Sequence, residues 1–110
     1  MIASICILVT RPTGEESSTL GVRTVYASHM GGIEARILFL EDGVYNVLRN
    51  TGYNTDMLEK FINEGGKVYC VRCHLGERGL SEKGLIDGVI LLSDENVSEI
   101  LGECEAVMSF

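Results

Sequence analysis

The sequence predicts a single α/β domain in three layers, with helices on both faces of a mainly parallel sheet of about five strands. Three observations lead there. Short apolar runs at residues 2–9, 35–40, 67–70, 85–92 and 104–110 alternate with segments of helical period, as strands buried on both faces do. The connections are long enough to carry a helix, which parallel pairing requires. A chain of 110 residues with 45% apolar and 23% charged residues suits one domain with a real core, and no repeat, linker or low-complexity segment divides it.

Each element has its own signal. Residues 2–9 are continuous and rich in Ile and Val, and Arg11-Pro12 stops that strand. Residues 10–18 read as a polar loop. Leu20, Val22, Val25, Tyr26 and Met30 then fall near helical spacing, with Gly31-Gly32 as the stop. The second strand, residues 35–40, runs into Glu41-Asp42-Gly43, and residues 44–48 suit a short helical turn. The next helix should be capped at Asn54 or Thr55, carry Asp56 and Glu59 in its first turn, bury Met57, Leu58, Phe61 and Ile62, and end at Gly65-Gly66. Strands at 67–70 and 85–92 follow. Ser93 caps a helix with Val97, Ile100 and Leu101 inward, and residues 104–110 complete the sheet.

Composition narrows the function. A net charge of −7 with no basic patch excludes nucleic acid as a direct partner. Residues 1–9 have no cationic flank and fall well short of the about 20 apolar residues of a membrane span, so neither a signal peptide nor a membrane partner is expected. The expected location is cytoplasmic, and Cys6, Cys70, Cys73 and Cys104 are read as reduced thiols.

The chemistry concentrates between Lys67 and Leu80. An apolar strand leads into Cys70 and Cys73, with Arg72, His74 and Arg78 close in sequence. A thiol at a strand-to-helix junction meets the amides of a helix N-terminus, and neighbouring cations add to that field. Both favour the thiolate, which is the nucleophile. In open α/β sheets reactive groups gather at the carboxyl ends of the strands, so the 10–18 loop, the 41–43 turn and the 70–73 segment should converge. Asp42 belongs to this group by its place at a strand end. His29, at the end of the first helix, reads as a surface or capping residue, and Thr13-Gly14 as flexible loop.

Other readings of the same motif compete. Cys70-Val71-Arg72-Cys73-His74 matches the covalent haem pattern, but lies at a strand end with no second axial ligand in sight. Zinc would find three conveniently spaced ligands where a structural site wants four. A C-x-x-C after a strand also suits a thioredoxin-like dithiol, yet the chain lacks Trp and its single Pro is Pro12. Simple packing suits Cys6 and Cys104 best.

Four segments together resemble the DsrE/DsrF/DsrH group of sulfur relay proteins, most closely its DsrF/TusC branch. They are residues 11–21, beginning Arg11-Pro12-Thr13-Gly14; residues 37–48, with Glu41-Asp42-Gly43-Val44; residues 70–80, ending Glu77-Arg78-Gly79-Leu80; and residues 106–110, closing on Phe110. In relatives the reactive cysteine lies eight residues before the Gly of Arg-Gly. Here Val71 holds that place, between Cys70 and Cys73. The resemblance implies a possible sulfurtransferase that carries sulfur as a cysteine persulfide on Cys70 or Cys73, with Cys70 the favoured acceptor and Arg72, His74, Arg78 and Asp42 in support. From the residues themselves, no cofactor and no metal are expected. The partners that the resemblance implies would be an upstream persulfide donor, a downstream sulfur acceptor, and copies of the chain itself or related subunits. Two alternatives stand beside it: a structural subunit binding related chains through Val44, Tyr45, Val47, Leu48 and Tyr53, and a dithiol-disulfide oxidoreductase using the Cys70/Cys73 pair.

Overall fold

The computed structural model describes residues 3–49 and 52–110. Its strands are β1 (Ser4–Val9), β2 (Glu34–Phe39), β3 (Lys67–Val71), β4 (Ile90–Leu92) and β5 (Ala106–Ser109). They form one sheet in the order β4-β3-β2-β1-β5, parallel throughout. The helices are α1 (Glu16–Met30), α2 (Tyr53–Asn63), α3 (Arg72–Glu77) and α4 (Asp94–Gly102), and a 3₁₀ helix covers Glu41–Val47. The expected strand start at Ile2 lies outside the described residues.

Topology decides which face each helix covers. From β1 to β4 the chain steps across the sheet in one direction, and right-handed crossovers put α1 and α2 on the same face. The return from β4 to β5 reverses direction, so α4 lands on the opposite face. Burial follows with a period of two. Ile5, Ile7, Ile37, Phe39, Val68 and Cys70 pack with Val22, Val25, Leu58 and Phe61, on the α1/α2 side. Cys6, Leu38, Tyr69, Val71 and Leu92 pack with Val97, Ile100 and Leu101 of α4. Successive strand residues point to opposite sides, and both sides are apolar.

The structure differs from the sequence reading in five places. Helix α1 starts at Glu16, not after Ser18, because Ser18 Oγ and Thr19 N–H both bond the Glu15 carbonyl and begin the helical turns there. Helix α2 begins after Gly52. Asn54 does not cap it, since its amide donates to Asn46 Oδ1 at 2.9 Å instead. Of residues 85–92, just 90–92 form strand. Leu85 makes an isolated antiparallel bridge to Leu48, Ile86 N–H bonds the Val47 carbonyl, and Gly88 turns at φ 93° before the chain joins the sheet. The last strand opens at Ala106, after α4 has run on to Gly102. Finally, Val44 and Val47 are fully buried and cannot face a partner, whereas Tyr53 is exposed.

The carboxyl edge of the sheet is drawn tight at one glycine. A Cβ on Gly43 would lie 2.0 Å from the Val9 carbonyl oxygen, so this position must be glycine for the 3₁₀ helix to seat against the end of β1. Asn46 completes the join by donating to the Arg11 and Gly43 carbonyls at 2.9 and 3.0 Å.

Candidate functional site

Strand β3 ends at Val71 and passes directly into α3, so Cys70 and Cys73 lie on either side of the junction. Their surroundings are opposite. Cys70 is fully buried in the α1/α2 core, and burial, with the Glu82 charge adding, pushes its thiol from 9.0 up to about 12. Cys73 is exposed, in the first turn of α3, and its sulfur lies 3.0 Å from Asp94 Oδ1. Asp94 opens α4 immediately after β4, and the spacing is that of a thiol donating its proton to a carboxylate. A cavity of about 400 Å³ opens beside this pair, with Arg72, Leu75, Leu80 and Glu82 among its walls.

The expected field of cations does not reach the sulfur. Arg72 is turned to Glu82, Nε to Oε2 at 3.1 Å. Arg78 is held by Asp42 at 2.9 Å and also donates to the His74 carbonyl at 3.1 Å. The Cys73 thiol is raised above its ordinary value, first by the hydrogen bond to Asp94 and then by partial desolvation and the charges of Asp94 and Glu77. The backbone amide at the start of α3 acts in the other direction and is the weakest of these influences. The anionic sulfur expected from the sequence is therefore not what the resting site holds. Each nearby arginine is spent on an acid, and the nearest charge to the sulfur is negative.

His74 is fixed by an unusual backbone. Glu41 adopts φ 53°, the left-handed region that non-glycine residues seldom occupy, and so aims its N–H at His74 Nδ1, 2.8 Å away. With Nδ1 accepting that bond, the proton of the neutral ring sits on Nε2, which faces Asp94 Oδ1 at 4.0 Å. His74 therefore presents a donor, not a base, to the Cys73 neighbourhood. Sγ of Cys73, a His74 ring nitrogen and an Asp94 oxygen lie within 4.8 Å of one another, a donor set of the kind that holds metal ions, although one nitrogen of the ring is already engaged by Glu41.

The structure thus brings together Cys73, His74, Arg78 and Asp42 of the sequence candidates, turns Arg72 to Glu82, and sets Cys70 apart in the core. The three predicted segments do converge: Arg11 is tied to Asn46, Gly43 to Val9, and Glu41 to His74. Sequence reasoning missed Asp94. Its signal was present, since an acid that opens a helix directly after a strand lies at the same edge of the sheet, although Ser93, expected to cap that helix, makes no side-chain capping bond from the N-cap position.

Comparison with known proteins agrees with this architecture. The model of the DsrE/DsrF-like family matches residues 3–110. The uncharacterized protein MK0008 of Methanopyrus kandleri is 32% identical over 107 residues, covering 90% of this chain and 86% of that protein. The crystal structure of the YchN protein from E. coli superposes with a TM-score of 0.85 at 25% identity, over the full length of both chains. The protein MTH1491 from Methanobacterium thermoautotrophicum shares the fold, with a TM-score of 0.79 at 18% identity over 97% of this chain and 98% of that one. With the family model spanning nearly every residue and the fold repeated in both solved structures, this chain belongs to the DsrE/DsrF-like family.

Proposed function

We propose that the protein is an intracellular sulfur relay protein of the DsrF/TusC type that carries sulfur as a persulfide on Cys73. The observation that carries this reading is the exposed Cys73 thiol at the carboxyl edge of the sheet, beside a cavity large enough for a donor's reactive group. The residues around it support the reading: Glu41-Asp42-Gly43 and the Arg78-Gly79-Leu80 segment, both similar to that branch, are bound to each other through Asp42 and Arg78.

In the transfer, Cys73 loses its proton and attacks the outer sulfur of a donor persulfide. The donor's S–S bond breaks, the donor leaves as a thiolate that takes up a proton, and Cys73 holds the new S–SH group. Arg78, bonded to Asp42 and to the His74 carbonyl, ties the 41–43 turn to α3, and the Nε2–H of His74 faces the Asp94 carboxylate, so the site stays ordered while Cys73 holds its cargo. Burial of Cys70 bears on the fate of that group. A thiol that reached the Cys73 persulfide would form a disulfide and expel hydrosulfide. Cys70 points into the α1/α2 core, whereas Cys73 faces the start of α4, and this separation protects the cargo. It also weighs against a Cys70/Cys73 oxidoreductase.

Incubation with a protein persulfide donor, followed by peptide mass analysis, tests the reading. One added sulfur is expected on the Cys73 peptide, retained in Cys70→Ala and lost in Cys73→Ser. If no sulfur reaches Cys73, the carrier reading falls. The alternative is then a subunit that binds related chains through its sheet edges, where Ile90, Val107 and Met108 stand exposed.

A further inference from the structure

The charges around Cys73 have a consequence for the group that can react with it. From α3 come Arg72, His74 and Glu77. Arg72 is paired with Glu82, and His74 turns Nδ1 to Glu41. From α4 comes Asp94, in contact with the sulfur itself, and from the segment between α3 and β4 comes Glu82. Arg78 is taken by Asp42. What remains unneutralised at the sulfur is carboxylate. An anionic donor would meet like charge within a few ångströms, and a cationic one would find Asp94, whose side chain is 69% exposed and open to a new partner.

We propose that Asp94 makes Cys73 selective for cationic sulfur donors: the carboxylate that accepts the thiol hydrogen bond attracts an arriving ammonium or guanidinium, and pairing with it frees the sulfur to attack faster. Asp94 is a positioning residue here, acting through Cys73. The partner this site fits is a protein whose sulfur-bearing cysteine has a Lys or Arg beside it. When that cation pairs with Asp94, the S–H bond to the carboxylate is broken, the proton passes to solvent, and the thiolate attacks. The identity of the partner rests on the carrier reading; the charge selectivity does not.

Thiol-disulfide exchange isolates the effect. The thiolate of Cys73 attacks one sulfur of a symmetric disulfide, the S–S bond breaks, a mixed disulfide forms and the departing thiolate takes up a proton. Rates are measured with cystamine (cationic), 2-hydroxyethyl disulfide (neutral) and 3,3′-dithiodipropionate (anionic), with the adduct located by peptide mass. Each rate is divided by that of a neutral reference thiol. At low ionic strength the wild-type protein is expected to prefer cystamine over the anionic disulfide by about tenfold, a preference that shrinks with added salt. Asp94→Asn should reduce it to about threefold or less, while Glu95→Gln, the same charge change one residue away, should leave most of it. With neutral iodoacetamide, Asp94→Asn should shift the pH midpoint of Cys73 alkylation downward and Glu95→Gln should not. No preference in the wild-type protein, or equal effects of the two substitutions, would overturn the proposal. If the charge preference holds but no persulfide is accepted, only the carrier reading fails. If sulfur transfer occurs without charge preference, only this inference does.

Discussion

Cys70 and Cys73 are separated by two residues and differ in almost every property that governs thiol chemistry. One completes the buried face of β3, fully enclosed by the residues that pack α1 and α2 on the sheet. The other lies one turn later on solvent-facing α3. Both thiols are raised above the ordinary value, for opposite reasons. Cys70 lacks water to solvate a thiolate, whereas Cys73 has water but also a carboxylate 3.0 Å away. The contrast teaches that reluctance to ionise has two kinds. Desolvation is built into the core and can be relieved only by opening it. A hydrogen bond to an exposed acid can be relieved by anything that claims that acid.

The largest effect that would break this comparison lies in labelling rates. In native protein at neutral pH, Cys73 should be alkylated at least about a thousandfold faster than Cys70. Exposing a residue of a central strand requires an opening that costs on the order of 4 kcal/mol or more, whatever the reagent. Peptide mass mapping over time reads both sites in one experiment, and comparable rates would show that the β3 end opens freely.

A second effect is alkaline unfolding. The folded state holds the Cys70 and Cys6 thiols up to about 12, against 9.0 for an ordinary thiol. Below 9.0 both states are protonated and the groups are neutral in their effect. As pH rises from 9.0 towards 12, the unfolded chain loses protons that the folded chain keeps, so stability falls. Denaturant midpoints across that range should drop steeply in wild type, less in Cys70→Ala, and nearly as steeply as wild type in Cys73→Ser, because an exposed hydrogen bond to Asp94 raises the Cys73 thiol with little help from burial. An identical slope in Cys70→Ala would mean that Cys70 contributes nothing to the alkaline loss.

The smallest effect is on neutral-pH stability. Cys70→Ser places a hydroxyl in an apolar core and should cost about 1–3 kcal/mol. Cys73→Ser, at an exposed position, should stay within about 0.5 kcal/mol. Urea unfolding at pH 7 compares them, and equal costs would remove the distinction between the two sites.

Much of the architecture is legible in the amino-acid pattern alone. Leu38 and Phe39 lie in one apolar run, and a run without polar interruption signals a strand covered on both sides. The sheet indeed sends them to opposite cores. The misleading signals are local. Residues 85–89 are apolar enough for a strand, yet Leu85 and Ile86 spend that apolar surface beneath the 3₁₀ helix, outside the parallel ladder. Asn54 and Ser18 look like capping and loop residues. Both are instead buried, in a polar cluster under the 3₁₀ helix, where Asn54 Nδ2 reaches Asn46 Oδ1 at 2.9 Å. Such uses depend on neighbours far along the chain, and no window of residues contains them.

From its own residues the chain determined a parallel α/β sheet, the crowded carboxyl edge and the segment that carries the thiols, because periodicity and glycine placement act over a few positions. Tertiary structure alone decided which sulfur meets water and which charge meets the sulfur. Asp94 is 21 positions from Cys73, at the start of the helix that follows a different strand, and only the closing of β4 against β3 brings its carboxylate to the thiol. Electrostatic contact follows distance in space, and that distance is set by the sheet.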